Sequence, residues 1–212
     1  MNFPTPPRWY AVAYSDFTLE TAESLLGVMS RGGDLFPGLT PEIVPDWLRD
    51  NLARGMQLSL ATEKARSEWI VGPILLACRE LSGRTVAIFS GQRLDVDPAR
   101  GLVGECDFLL SLGEPLPRLR TPIVALVEAK KHDIDLGMGQ CIAQMIAARE
   151  FNERAGSKVN PIHGCVTTGE DWQFLRLEGA SVIVQPNRIF IDNVGGILAM
   201  FRAIIAMSQA AA

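Results

Sequence analysis

The chain has 212 residues, 48% of them hydrophobic, and its 24 acidic residues outweigh 20 basic ones to give a formal net charge of −4. That length buries a substantial core in one large domain. The acidic balance excludes a general basic coat for nucleic acid but leaves room for a small local patch.

Uninterrupted apolar runs stay well short of the roughly 18 residues that cross a bilayer. The opening MNFPTPPRWY lacks a basic stretch followed by an apolar core, so it does not read as a signal peptide. Cys78, Cys106, Cys141 and Cys165 are widely spaced in apolar segments. They read as reduced core residues of a cytoplasmic protein, neither a zinc site nor a disulfide framework.

Proline and glycine punctuate residues 1–60, where two helices are expected, 19–29 and 41–53, forming a helical N-terminal cap. A stronger helix is written in TEKARSEWIVGPILLACRELSG, with Thr62 or Ser67 placed to cap it and Gly83 to end it. Val71, Leu75 and Cys78 recur there at helical spacing. Pro73 inside this pattern implies a kink or a late start. TVAIFSGQRLDVD and LVGECDFLLSLG read as two strands separated by the turn DPARG, and a third, wholly apolar strand begins at Ile123.

A helix then runs from about Met138 to Ala155, with Gly156 as its stop. IHGCVTTG, WQFLRLEG and SVIVQPNRIFI are short β segments, and Asp192 or Asn193 caps a last helix over 194–207. Three strands in a row exclude a strict βαβ doubly wound pattern. They predict a single α/β domain: a mixed sheet flanked by helices over 61–191, followed by the C-terminal helix and tail. In VGGILAMFRAIIAMSQ apolar residues occupy nearly every face, so the helix needs enclosure by the core or by another subunit; the expectation is a homodimer.

The segment TPIVALVEAKKHDID carries the most chemistry. Alternation along a strand puts Glu128 and Lys130 on one face with Val124 and Leu126, and Ala129 on the other with Ala125 and Val127. On the preceding strand Glu105, Asp107 and Leu109 share a face. Paired strands lie about 4.8 Å apart. Two carboxylates at that spacing repel each other, and burying both is costly without a proton or cation. A hard divalent cation such as Mg²⁺ resolves the conflict. Lys130 lies about 6–7 Å beyond Glu128 along the strand, in reach of a metal-bound water or a substrate anion. Acid, acid-x-lysine and a divalent metal suit phosphodiester hydrolysis. An isolated E-x-K is common and reads equally as a solvated strand end. Its place here, closing an apolar strand downstream of Asp107, raises it.

The order of these pieces (SE-W-I-x-x-PIL on a helix, G-x-CDFLL and VALVEAKK on strands, GQCIAQM opening a helix) resembles the PD-(D/E)XK nuclease-like superfamily, the restriction endonuclease-like fold. The likeness covers residues 62–172. It implies an αβββαβ core, Asp107 as a metal-binding acid, Glu128 and Lys130 as the acid and lysine of the next strand, and Glu68 as the acid of the first core helix. It also implies a role for Gln140 in the following helix. Gln144 stands one turn later, where some branches carry tyrosine, and Glu105-Cys106 replace the proline of the family's name. Metal ligands would be Asp107, Glu128 and Glu68, and the metal Mg²⁺, with Mn²⁺ as a substitute.

Other groups carry weaker signals. His132 reads as an exposed loop histidine and His163 as a satisfied structural one. GMGQ and NVGG precede helices but match no phosphate-binding fingerprint. Lys130, Lys131 and Arg149 are candidates for a phosphate backbone, against the simpler reading of a solvated charged face. The expected function is Mg²⁺-dependent hydrolysis of DNA. The alternatives are a catalytically inactive nuclease-like module that binds nucleic acid or protein, and a purely structural protein.

Overall fold

The computed structural model describes residues 13–212; the expectation for MNFPTPPRWY lies outside the described residues. In chain order the elements are α1 (Leu19–Leu26), β1 (Met29–Gly32), α2 (Asp46–Gly55) and α3 (Glu63–Arg66). A π-helical turn, Ser67–Val71, joins α3 to α4 (Gly72–Leu81). Then come β2 (Val86–Arg93), β3 (Glu105–Leu112), β4 (Ile123–Ala129), α5 (Ile134–Arg154) and β5 (Ile162–Thr167). The chain ends with β6 (Asp171–Glu178), β7 (Ser181–Val184), β8 (Ile189–Phe190) and α6 (Val194–Ala210).

The strands form one mixed eight-stranded sheet in the order β1-β7-β6-β5-β4-β3-β2, with β8 pairing β6. The β2–β3, β3–β4, β5–β6 and β6–β7 pairs are antiparallel; β4–β5 and β1–β7 are parallel. Helices cover both faces, as the predicted α/β class requires. One core, containing Leu109, Leu126, Ile142 and Ile146, lies under α1 and α5. The other, containing Ile74, Val127, Trp172 and Phe201, lies under α2, α4 and α6.

The N-terminal region is more than a helical cap. Gly27, with φ 68°, ends α1 in the left-handed conformation. The chain then adds β1 to the edge of the sheet beside β7. The helix over 62–83 is capped by Thr62, whose Oγ1 accepts from the Ala65 N–H at 3.1 Å. Pro73 does not break it. Having no N–H to give to the preceding turn, it is absorbed by the π turn, in which the Gly72 N–H bonds to the Ser67 carbonyl.

The start of β4 departs from simple alternation. Leu110 pairs with Ala125 but Ser111 pairs with Ile123, so Val124 is an extra, bulged residue. Val124 and Ala125 consequently pack in the same core, while Ile123 and Leu126 pack in the other. Glu128 therefore shares a face with Leu126 but not, as alternation predicts, with Val124. Asn152 of α5 clamps this irregular end: its Oδ1 accepts from the Ile123 N–H at 2.8 Å and its Nδ2 donates to the Ile123 carbonyl at 2.7 Å.

Helix α6 is enclosed within its own chain, with Ile197, Leu198, Phe201, Ile204 and Ile205 all at most 1% exposed. Arg202 on the outer side pairs with Glu42 at 2.7 Å. The enclosure that motivated a homodimer is thus supplied by the fold itself. Ile191–Ala210 is long and apolar enough to cross a bilayer by length and composition, yet 56% of its apolar window is buried inside the molecule. All four cysteines are free and buried.

Because Asn152 is 1% exposed and satisfies two buried backbone groups, Asn152→Ala is expected to cost about 2–4 kcal/mol. Urea denaturation of the two proteins measures this directly.

Candidate active site

The β3–β4 ladder runs from Ser111↔Ile123 to Phe108↔Val127 and stops there. Asp107 and Glu128 would form the next opposed pair. Instead the strands part, and Asp107 Oδ2 accepts the Ala129 N–H at 2.7 Å, taking the place of a backbone carbonyl. Strand β4 meanwhile stays with β5, and the Lys130 N–H bonds to the Thr167 carbonyl at 2.7 Å. The parting leaves a gap at this end of the ladder, the mouth, where Asp107 and Lys130 are half-buried and Glu128 is buried.

Glu128 is only 2% exposed, so both its oxygens need protein partners. Oε1 accepts from Lys130 Nζ at 2.8 Å and Oε2 from Gln144 Nε2 at 2.7 Å. Lys130 Nζ also donates to Gln140 Oε1 at 2.9 Å. Gln140 and Gln144, one turn apart on α5, thus hold the lysine and the acid respectively. Room for the lysine stem comes from Gly137: a Cβ there would lie 3.0 Å from Lys130 Cγ and 2.5 Å from Val166 Cγ1. The glycines of GMGQ lie inside α5 and serve close packing; they form no phosphate cradle. Those of NVGG act likewise, Gly195 against the Glu42 carbonyl and Gly196 against the Asn193 side chain.

Burial, and then the charge of Asp107, push the Glu128 carboxyl up to about 7 despite Lys130 and Gln144. Burial also raises Asp107, opposed by the Ala129 N–H and by Lys130. Partial burial works against the charge on Lys130, yet Glu128 holds its ammonium above the usual lysine range. Cys106 and Cys141 have thiols pushed far up, chiefly by burial, which makes them poor nucleophiles.

Asp107, Glu128, Lys130 and Gln140 therefore meet as expected. Glu68 does not join their hydrogen-bonded cluster. Its side chain is 52% exposed and lies 3.8 Å from Lys64, beside a groove lined by Trp47, Leu76 and Phe108. The π turn is the reason, since an i→i+5 turn breaks the helical phase that placed Glu68 with Val71 and Leu75. Glu63, exposed at the start of the same helical run, adds a smaller charge effect that raises both Asp107 and Lys130. Its sequence signal was its position directly after the Thr62 cap.

His132 is exposed, as expected, in a small cavity with Arg66, Lys131 and Phe190. Arg149 lies further along α5, bonded to the Gly179 carbonyl and away from the cluster. His163 is buried, but among the described residues neither ring nitrogen has a hydrogen-bond partner, and the ring stacks on Phe36 at 5.9 Å. Burial, with Arg176 nearby, holds it down to about 3, so it stays neutral.

Among the described residues no group of three or more His, Cys, Asp and Glu side chains is gathered as a ready-made metal centre. The donor chemistry nevertheless fits a hard divalent cation. Two raised carboxyls share one mouth, and Gln144 Oε1 is an unspent buried acceptor among the described residues. Mg²⁺ characteristically takes one or two carboxylates and completes its shell with waters and substrate oxygens. No protein-family model matches the chain, and no curated protein matches it.

The raised Glu128 has a defined effect on stability. Between the ordinary value of 4.5 and about 7 the folded state binds the proton that the unfolded state has released. Stability from this group is therefore greatest at low pH and is lost as pH rises to about 7. Unfolding free energies of wild type and Glu128→Gln, compared at pH 5 and pH 8, should show wild type losing about 2–3 kcal/mol relative to the variant on the way up.

Proposed function

We propose that this chain is a Mg²⁺-dependent nuclease that hydrolyses DNA phosphodiester bonds on a restriction endonuclease-like core. The observation that carries the reading is the meeting of Asp107, Glu128 and Lys130 where β3 and β4 part, with Gln140 and Gln144 attached from α5. The succession of the helix over 63–81, β2, β3, β4, α5 and β5 supports an αβββαβ core.

Asp107 and Glu128 would hold the metal, with Glu63 adding a smaller charge effect. Bound Mg²⁺ lowers the pKa of its water and offsets charge on the phosphate. Lys130 is a positioning and charge-stabilising group. Its ammonium has three N–H donors, of which Glu128 and Gln140 take two. The third is available to an attacking water or a phosphate oxygen, and the side chain, 17% exposed, reaches solvent at the mouth. Gln140 fixes the lysine, and Gln144 keeps Glu128 turned toward it.

One observation favours a second reading, an inactive module that binds nucleic acid or protein: both oxygens of Glu128 are already engaged by side chains. A nicking assay combined with calorimetric Mn²⁺ titration separates the two. In the nuclease reading Lys130→Ala abolishes Mg²⁺-dependent nicking and keeps metal affinity within about threefold, since lysine is no ligand. Asp107→Ala loses both, and Glu63→Gln weakens metal binding more than Glu68→Gln does. Wild-type protein that binds no Mn²⁺ and cleaves neither single- nor double-stranded DNA would overturn the nuclease reading.

A further inference from the structure

On the α4 side of β3, across the sheet from the side chains that α5 holds, lies a groove of about 360 Å³ that reaches Phe108, the residue after Asp107. Its walls include Trp47, Asn51, Glu68, Leu76, Ser90 and Phe108. We propose that this groove receives an unpaired base of the nucleic-acid strand whose phosphate lies at Asp107 and Lys130. The inference rests on the nuclease reading and adds to it a substrate class, single-stranded or locally opened nucleic acid.

The lining chemistry selects the occupant. Trp47 is 38% exposed and Leu76 44%, so large apolar surface is left open at one place. Aromatic side chains at such sites stack on bases without regard to sequence. The polar groups are an amide, a carboxylate and serine hydroxyls, which match the donors and acceptors on a base edge. Among the described residues no lysine or arginine lines the groove, and Glu68, 3.8 Å from Lys64, places a carboxylate within it. A phosphate is therefore disfavoured there and a neutral heterocycle is favoured.

Continuity with the mouth supplies the second argument. Phe108 follows Asp107 on β3 and pairs with Ser90 across the β2 ladder. Glu63, whose charge is felt at Asp107 and Lys130, and Glu68, which lines the groove, lie on one continuous helical run. Groove and mouth are thus two sides of the same strand end. A base stacked and paired inside a duplex is not free to enter such a groove; an extruded or single-stranded one is.

The test is fluorescence anisotropy with a short labelled single-stranded DNA, Ca²⁺ replacing Mg²⁺, beside a duplex of the same sequence and a strand of abasic units. Trp47→Ala should weaken single-strand binding about tenfold, within the range measured for base–aromatic stacking. Trp47→Phe should restore most of it, and duplex binding should change little. The abasic strand should bind wild type about as weakly as the intact strand binds Trp47→Ala, and should lose nothing further with that variant. Equal single-strand binding by wild type and Trp47→Ala, or equal binding of intact and abasic strands, would overturn the proposal. Cleavage without Trp47-dependent binding removes the base site alone; Trp47-dependent binding without any cleavage in Mg²⁺ or Mn²⁺ removes the nuclease reading alone.

Discussion

A carboxylate with 2% of its surface exposed must be satisfied from within the protein, and Glu128 imposes that demand on everything near it. Lys130 and Gln144 meet it, but only because α5 lies close against β4 and β5. That approach depends on positions with no side chain. A Cβ on Gly137 would meet Val166 and Lys130, and one on Gly164 would lie 2.5 Å from Met145 Sδ and 2.7 Å from Cys141 Sγ. On the outer side of the same helix, a Cβ on Gly139 would lie 2.2 Å from the backbone of Thr18, the cap of α1. The layers around α5 are therefore set at the spacing that the acid requires. The arrangement does not maximise stability. Two raised acids face one another, and groups held in an unfavourable charge state are what a cation or a reacting phosphate exploits.

The parting of β3 and β4 follows from how each end of that ladder is tied. At one end the Val124 bulge is clamped by Asn152, which fills both hydrogen-bonding needs of Ile123. At the other, a side-chain carboxylate replaces a backbone acceptor, so pairing is capped where the charged cluster begins. Since β5 keeps hold of β4 as far as Thr167, the strand bearing Glu128 and Lys130 stays paired on one edge where its other edge has parted from β3. Delivery of charged groups on a paired strand to an open edge is what electrostatic catalysis demands of a scaffold.

Much of this was legible in residue order. Apolar runs and their punctuation located β2 through β7, and Thr62, Gly83, Gly156 and Asn193 mark helix ends as their chemistry predicts. Strand alternation and spacing pointed to Asp107, Glu128 and Lys130, while Gln140 entered only through the family resemblance. The failures have particular causes. Strand β1 is an exposed four-residue edge with no apolar alternation, so nothing local distinguishes it from a loop. Helix α5 starts at Ile134, ahead of the expected 138, because Asp133 caps it before the glycines. His163 looked like a histidine that would find a partner, and only the packing of Phe36 and Arg176 around it shows that it has none among the described residues. Contacts made by an absent Cβ leave no trace in a sequence without its neighbours.

The placement of Glu68 outside the hydrogen-bonded cluster has a local cause. Pro73 withholds an N–H from the preceding turn, and the helix answers with a π turn over Ser67–Val71. Gly55 of α2 then packs so near the Trp69 carbonyl that a Cβ would sit 2.8 Å from it, which locks the widened turn against its neighbour. The shift in phase leaves Val71 and Leu75 in the core and sends Glu68 outward to the groove. Glu63, one turn earlier, keeps its influence on Asp107 and Lys130. One helical run thus carries an acid in an aromatic groove and, a turn earlier, another whose charge is felt at Asp107. Single π turns gather at functional sites for this reason: they re-aim a side chain without breaking the element that carries it.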